Sequence, residues 1–269
     1  MPILDWKNYH HVVVLTGAGA SAGSGLATFR DSNGLWENHR IEDVATPEAF
    51  ERDPYLVWRF YSMRRLNAGA AHPNPAHRAL DDFAADFKGH FTLITQNVDG
   101  LHRRAQGRGH LDALCMHGTL EKSRCTSCEQ VFWDDMAWVP EVGMPRSAEL
   151  LDAHQRASGE ALGQYKITSR NGLPLSPCCQ SLLRPHIVWF GEQPFQLDRI
   201  WKELEMCDVF VSIGTSGQVY PAAAFLEIAK SHKATTMVLN MEALPQHPYV
   251  DHFVQGAAEV IVPQEFKLP

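Results

Sequence analysis

The stretch HVVVLTGAGASAGSGLATFR, residues 11–30, narrows the fold more than any other part of this chain. A short run rich in β-branched residues leads straight into a glycine-rich segment, the pattern of a buried strand entering a tight turn. Two turns fit the same letters. Gly17, Gly19 and Ala22 match G-x-G-x-x-G/A, which cradles a dinucleotide pyrophosphate, whereas Gly19, Ser21 and Gly23 match G-x-S-x-G, which presents a nucleophilic serine. Both need strand, turn and helix, so position decides between them. A nucleophile elbow follows several strands of its sheet, with the acid and the histidine later in the chain. Here the motif closes the first strand, which favours the cradle. Ser21 then reads as a small polar residue at a helix N-terminus, where its hydroxyl caps the helix or touches phosphate.

Further strand-like runs alternate with helical patterns. FTLIT (91–95), DVFVSIG (208–214), TTMVLN (235–240) and EVIV (259–262) read as strands buried on both faces. PNPAHRALDDFAADF (73–87), FQLDRIWKELEM (195–206) and PAAAFLEIAKSH (221–232) read as the helices between them. This alternation predicts an α/β fold, a Rossmann-like doubly wound parallel sheet. Two stretches break it: residues 42–69 read as helical without a strand, and residues 118–185 carry most of the cysteines with little periodicity. The expected division is therefore a dinucleotide-binding domain of residues 1–41, 70–117 and 186–269. A smaller inserted domain, helical in part and zinc-ribbon-like in part, takes 42–69 and 118–185. At 269 residues and 45% apolar composition the chain has ample material for such a core.

A formal charge of −7 argues against a dedicated nucleic-acid or anionic-membrane surface. No apolar run approaches the length of a membrane span, and MPILDWKNYHH lacks the features of a signal or transit peptide. Cytoplasmic residence is the expectation; there the six cysteines do not form a disulfide framework, and Cys125-x-x-Cys128 with Cys178-Cys179 reads as half or all of a zinc site.

The segment after the cradle is wrong for hydride chemistry. A dehydrogenase places a second strand there, ending in an acid for the ribose hydroxyls; TFRDSNGLWENHRIEDVATP contains no strand-like run. Four further motifs resolve the mismatch: TQNVDGLH (95–102), MHGTL (116–120), LRPHIVWFGE (183–192) and GTSGQVYPAA (214–223). With GAGASAGSGLATFR they resemble, in order and across nearly the whole chain, the sirtuin family of NAD-dependent protein deacylases.

The resemblance implies a reaction that breaks the nicotinamide–ribose bond of NAD. The substrate's own acyl oxygen attacks the ribose carbon. His117 then deprotonates a ribose hydroxyl, which attacks the resulting imidate and carries away the acyl group; an imidazole suits this because it titrates near neutrality. By the same resemblance Asn97 and Asp99 share the catalytic site and line the nicotinamide pocket, with Val98 beside them and Gln96 on the ribose. Gly17, Ala18, Gly19, Ala20 and Ser21 form the cradle, and Thr28, Phe29, Arg30 and Trp36 belong to the loop closing over the cofactor. Gly214, Thr215, Ser216, Asn240 and Met241 suit adenosine ribose and phosphate at strand ends, and Ala258 packs near adenine. Val188, Phe190, Gly191, Glu192 and Val219 border an acylated-lysine substrate bound as an extended peptide between two edges.

Tyr61 and Arg64, in RFYSMRRL, share a helix face, and a phenol beside a guanidinium matches a carboxylate. The pair resembles the Tyr-x-x-Arg of the class III sirtuins, which remove succinyl and malonyl groups from lysine, and Ala45 leaves room in the same pocket. Structural zinc is implied on Cys125, Cys128 and Cys179. The fourth family position falls on Ser176, so Cys178 is the substitute, although adjacent side chains do not readily converge on one tetrahedral ion. Two other readings share the cofactor: an ADP-ribosyltransferase, and a non-catalytic NAD or ADP-ribose sensor.

Overall fold

The computed structural model describes residues 2–27, 35–36, 39–105, 108–109, 111–133, 168–170, 172–243 and 247–268. Its strands are β1 (His11–Thr16), β2 (Leu35–Trp36), β3 (His39–Arg40), β4 (His90–Thr95), β5 (Leu114–Cys115), β6 (Gly118–Cys125), β7 (Val131–Trp133), β8 (Thr168–Arg170), β9 (Leu173–Leu175), β10 (Leu183–Ile187), β11 (Val209–Ile213), β12 (Thr235–Asn240) and β13 (His252–Gln255). The central sheet runs β13-β12-β11-β1-β4-β5, and every pairing in it is parallel.

Both faces are covered, which explains why the strands read as continuous apolar runs. Val12 and Val14 of β1 pack with Leu80, Phe83, Val262 and Phe266 on one side. Val13 and Leu15 pack with Ile200, Leu204, Phe225 and Ala229 on the other. The first face is covered by the helices Pro75–Asp86 and Ala258–Glu265, the second by Leu197–Met206 and Phe225–Ser231. Each such Val, Leu, Ile or Phe side chain stabilises the fold by about 1.5–3 kcal/mol through the apolar area it loses to water.

A further buried cluster lies away from this sheet. The helix Pro54–Ala70 places Val57, Trp58, Phe60 and Tyr61 against Leu120, Leu183, Ile187 and Trp189. Leu183 and Leu120 belong to a small antiparallel sheet ordered β10-β6-β7. Asp53 caps this helix by accepting the Leu56 N–H, with Pro54 at its first position. Among the described residues no helix is long and apolar enough to cross a membrane.

Two readings are corrected. EVIV is helical, not a strand: within Ala258–Glu265 the buried residues are Ala258, Ile261, Val262 and Glu265, a spacing of three and four that puts them on one helix face. The outer strand is HFVQ, His252–Gln255, whose side chains are only half-buried or exposed at the sheet edge, so it carries little apolar signal. Second, among the described residues no α-helix directly follows the glycine-rich turn. The chain makes two 3-10 turns, Ala18–Ala20 and Ala22–Ser24, and the segment beyond holds a two-residue strand pair at 35–36 and 39–40.

Candidate functional site

In a parallel sheet all strands finish at one edge, and a crevice opens where successive connections diverge to opposite sides. Here β1 lies between β4, on one side, and β11, on the other. Thr16 is in register with Thr95 and Ile213, so Gly17, Gln96 and Gly214 all emerge together at that divergence. A cleft of about 1290 Å³ begins there.

The glycines of the turn are demanded first by the protein itself. The Gly17 and Gly19 N–H groups donate to the carbonyls of Ile213 and Gly214 at 2.9 and 2.8 Å. A Cβ on Gly19 would lie 2.7 Å from the Gly214 Cα, and Gly214 has φ +59 with the Ala20 nitrogen 2.5 Å from any Cβ added there. Two backbones therefore touch, and the floor of the cleft stays bare of side chains. Ala20 is turned away from the cleft and is 1% exposed in the core.

Ser21 caps no helix. It is buried, and its hydroxyl donates to Asp99 Oδ2 at 2.7 Å while accepting from Asn97 Nδ2 at 3.1 Å. His77 Nε2 stands 3.4 Å from the same oxygen. The Asn74 N–H donates to His77 Nδ1, which fixes the proton of that ring on Nε2, facing Ser21. Burial pulls the His77 imidazole down to about 4, so the ring is neutral at neutral pH. The other Asp99 oxygen accepts the Leu101 N–H, and Asn97 Nδ2 also donates to the Gly17 carbonyl. Asn97 and Asp99 are thus locked to the glycine turn through Ser21, with one face of each on the cleft.

His117 lines the same cleft beyond Gln96. Its Nδ1 is 3.2 Å from the Gln96 carbonyl, which only accepts; Nδ1 therefore carries the proton and Nε2 is left as the basic nitrogen. Burial lowers this imidazole's pKa below its ordinary value, partly opposed by the bond to Gln96. The ring is a neutral base at neutral pH. Gln96 in turn donates to Thr215 Oγ1, and Asn240 donates to the Thr215 carbonyl, tying three strand ends together.

The opposite wall comes from residues 187–192. The Val188 N–H donates to the His117 carbonyl and the Phe190 N–H to the Ala45 carbonyl, both at 3.0 Å. Glu192 accepts two hydrogen bonds from Arg184, at 2.7 and 2.9 Å, and one from the Trp189 N–H. Burial opposes its charge, but these bonds hold the Glu192 carboxyl below the usual carboxylate range. Tyr61 and Arg64 reach this wall from the helix Pro54–Ala70. Tyr61 is fully buried, its oxygen accepts from Trp189 Nε1 at 3.0 Å, and burial pushes its pKa up to about 12. Its own O–H is therefore kept as a donor.

Most expected site residues meet on this one cleft. Gly17, Ala18, Gly19, Ser21, Gln96 to Asp99, His117, Gly214 to Ser216, Asn240, Met241 and Ala258 line it, and so do Ala45, Tyr61, Arg64, Val188, Phe190 to Glu192 and Val219. Thr28, Phe29 and Arg30 lie outside the described residues, and Trp36 is described only as part of β2. Trp189 and Glu259 also line the cleft and escaped sequence reading. Trp189 sits between two residues expected to face substrate; Glu259 lay inside the run mistaken for a strand. A bare glycine floor at the sheet switch point, polar side chains at the strand ends and a cleft of this size fit a dinucleotide.

The cysteines converge as well. The sulfurs of Cys125, Cys128, Cys178 and Cys179 lie within 4.8 Å of one another. Adjacent Cys178 and Cys179 both reach the cluster, with Cys128 to Cys178 at 3.1 Å and Cys125 to Cys179 at 3.4 Å. Gln180 follows them with a φ of 58, within the tight turn that ends this exposed pair. Ser176 stands beside them, its hydroxyl 3.4 Å from two of the sulfurs. Four thiolates so placed fit zinc with no open position, a structural site. The eight residues of β6 separate it from His117, about 25 Å along the strand. Cys128→Ser is expected to remove one equivalent of zinc, measured by elemental analysis. It should also lower Tm by about 10 °C while leaving the turnover of the folded fraction unchanged.

Comparisons with known proteins agree with this geometry. The model of the Sir2 family matches residues 17–221. An NAD-dependent protein deacylase of Shewanella oneidensis is 43% identical over 260 residues, covering 95% of this chain and 93% of its own. The crystal structure of a Sir2 homologue in complex with NAD superimposes with a TM-score of 0.78 at 35% identity, over 97% of this chain and 90% of the other. A complex of Sir2 with a p53 peptide and NAD+ superimposes with a TM-score of 0.70 at 25% identity, over 96% and 93%. The bare glycine floor, the His117 ring on the cleft and the two-walled cleft thus belong to a chain that is a member of the Sir2 family.

Proposed function

We propose that this chain is an NAD-dependent protein-lysine deacylase that acts on succinyl- and malonyl-lysine in preference to acetyl-lysine. The observation that carries the reading is one continuous cleft. It holds a neutral base, His117, next to Asn97 and Asp99, and a Tyr–Arg pair on the opposite wall.

Bound NAD supplies a nicotinamide–ribose bond whose cleavage leaves an electrophilic ribose carbon. The chain supplies the rest. Gly17, Gly19 and Gly214 leave backbone room for the phosphates. Asn97 and Asp99, held by Ser21, offer an amide and a carboxylate in fixed positions. His117 accepts a proton at Nε2, and its Nδ1–H, anchored on the Gln96 carbonyl, holds the ring in position. The backbone of residues 188–190 is fixed by bonds to His117, Ala45 and Glu192, which makes it a firm wall along which an extended peptide can lie.

The acyl preference is supported by Tyr61 and Arg64. Because Tyr61 already accepts from Trp189, its hydroxyl proton is available to a ligand oxygen. A guanidinium beside it makes a site for a carboxylate rather than a methyl group. The relatives' activity toward proteins agrees with a peptide substrate.

The test mixes protein, NAD and succinyl-, malonyl- or acetyl-lysine peptides and measures nicotinamide, deacylated peptide and O-acyl-ADP-ribose. Equal amounts of the three, with kcat/KM highest for the acidic acyl groups, are expected. Nicotinamide release that does not depend on acyl peptide, or ADP-ribose joined to protein, would overturn the reading.

A further inference from the structure

At the other end of the sheet, the first residues of β1 and β4 lie in register, His11 beside His90. Between them the helix Leu197–Met206 presents Glu203. Glu203 Oε2 is 2.8 Å from His11 Nε2 and 3.0 Å from His90 Nε2, and the three atoms lie within 4.8 Å of one another. Thr92 donates to the same oxygen at 2.8 Å. The His11 and Glu203 side chains are 14% and 10% exposed, whereas His90 is 57% exposed, so the cluster is walled by protein on one side and open to water on the other.

We propose that His11, His90 and Glu203 form a second metal site, for a divalent transition cation of the zinc class, separate from the cysteine cluster and from the cleft. Two imidazoles and one carboxylate are a ligand set of the type such cations take, and the open side leaves a fourth position for water. A tetrahedral ion about 2.0–2.1 Å from each ligand spaces the ligand atoms roughly 3.3 Å apart, so each imidazole nitrogen would move a few tenths of an ångström from the Glu203 oxygen, which it now approaches to 2.8 and 3.0 Å. Thr92 orients the Glu203 carboxylate as an outer partner of a metal ligand does. The Asp208 carboxylate adds rigidity by accepting the N–H groups of His10 and His11.

The six residues of β1 separate this cluster from Gly17 by about 20 Å, so the ion would not touch reacting groups. It would pin two parallel strands to a covering helix. That predicts a stabilising role.

The test compares wild type, His90→Gln and Cys128→Ser after equilibration with micromolar Zn2+ and gel filtration. His90 is exposed, so its replacement preserves the fold. Wild type is expected to hold one equivalent of zinc more than His90→Gln, and Cys128→Ser to retain that equivalent. Zinc affinity at this site should fall at least about 10-fold in His90→Gln. On the wild type, Zn2+ should shift the ring proton resonances of His11 and His90. Equal zinc content and affinity in wild type and His90→Gln, or ring resonances that do not respond, would overturn the proposal. The cluster would then be a glutamate hydrogen-bonded to two imidazoles and nothing more.

Discussion

Replacing His117 with alanine is expected to lower kcat for formation of deacylated peptide by about 10²- to 10⁴-fold, the usual worth of a positioned general base. The imidazole is the neutral proton acceptor that the described part of the cleft offers next to Asn97 and Asp99. Alanine leaves the glycine floor and the Ser21 network in place, so binding of NAD should change little; calorimetry can separate the two. The pH profile carries the second half of the prediction. Only the neutral ring accepts a proton, and burial lowers its pKa below the ordinary imidazole value. Activity should therefore be flat across neutral pH and fall only on the acid side, below the point where a free imidazole titrates. A rate that declines already above that point, or a variant retaining more than a tenth of the wild-type rate, would remove His117 from the role.

Arg64→Met should change which acyl group the enzyme prefers. A charge-assisted hydrogen bond is worth about 1.5–3 kcal/mol, so kcat/KM for succinyl-lysine should fall by about 10- to 150-fold relative to acetyl-lysine. Methionine keeps much of the length and apolar stem that pack by Phe60, where the guanidinium now lies 5.8 Å from the ring centre. The companion change, Tyr61→Phe, is less clean. It removes the acceptor of Trp189 Nε1 in a fully buried setting, a cost of about 1–3 kcal/mol to stability irrespective of substrate. The ratio of the two activities in Arg64→Met is therefore the decisive number. An unchanged ratio would dissociate the Tyr–Arg pair from acyl choice.

Gly17, Gln96 and Asn240 were legible because their signals are local: a β-branched run followed by glycines, or polar residues just after an apolar run, marks a strand end, and parallel strands deliver their ends to one edge. His117 was legible only through the resemblance of MHG and its neighbouring motifs to the family, because one histidine among 14 carries no local signal of its own. EVIV failed for the complementary reason. Three apolar residues after a glutamate satisfy both a strand and one turn of helix, and only the partners at Ala258 and Glu265 decide between them.

What the sequence alone determined was the parallel doubly covered sheet, the glycine turn at its first strand, and the residue types that meet at its edge. The sheet and the turn follow from periodicity and from backbone sterics, which act over a few residues, and the residues that meet at the edge were implied by the family resemblance of their motifs. What only the tertiary structure decided were contacts between segments far apart in the chain. Ser21 became the hub joining Asn97, Asp99 and His77 rather than a helix cap. Cys178 and Cys179 both turned toward Cys125 and Cys128, against the expectation for neighbours. Trp189 became the partner that leaves the Tyr61 hydroxyl free to donate, and His11, His90 and Glu203 came together at the far end of the sheet. A hydrogen bond or a metal ligand is satisfied by whichever group arrives within about 3 Å, and chain connectivity carries no record of which group that is.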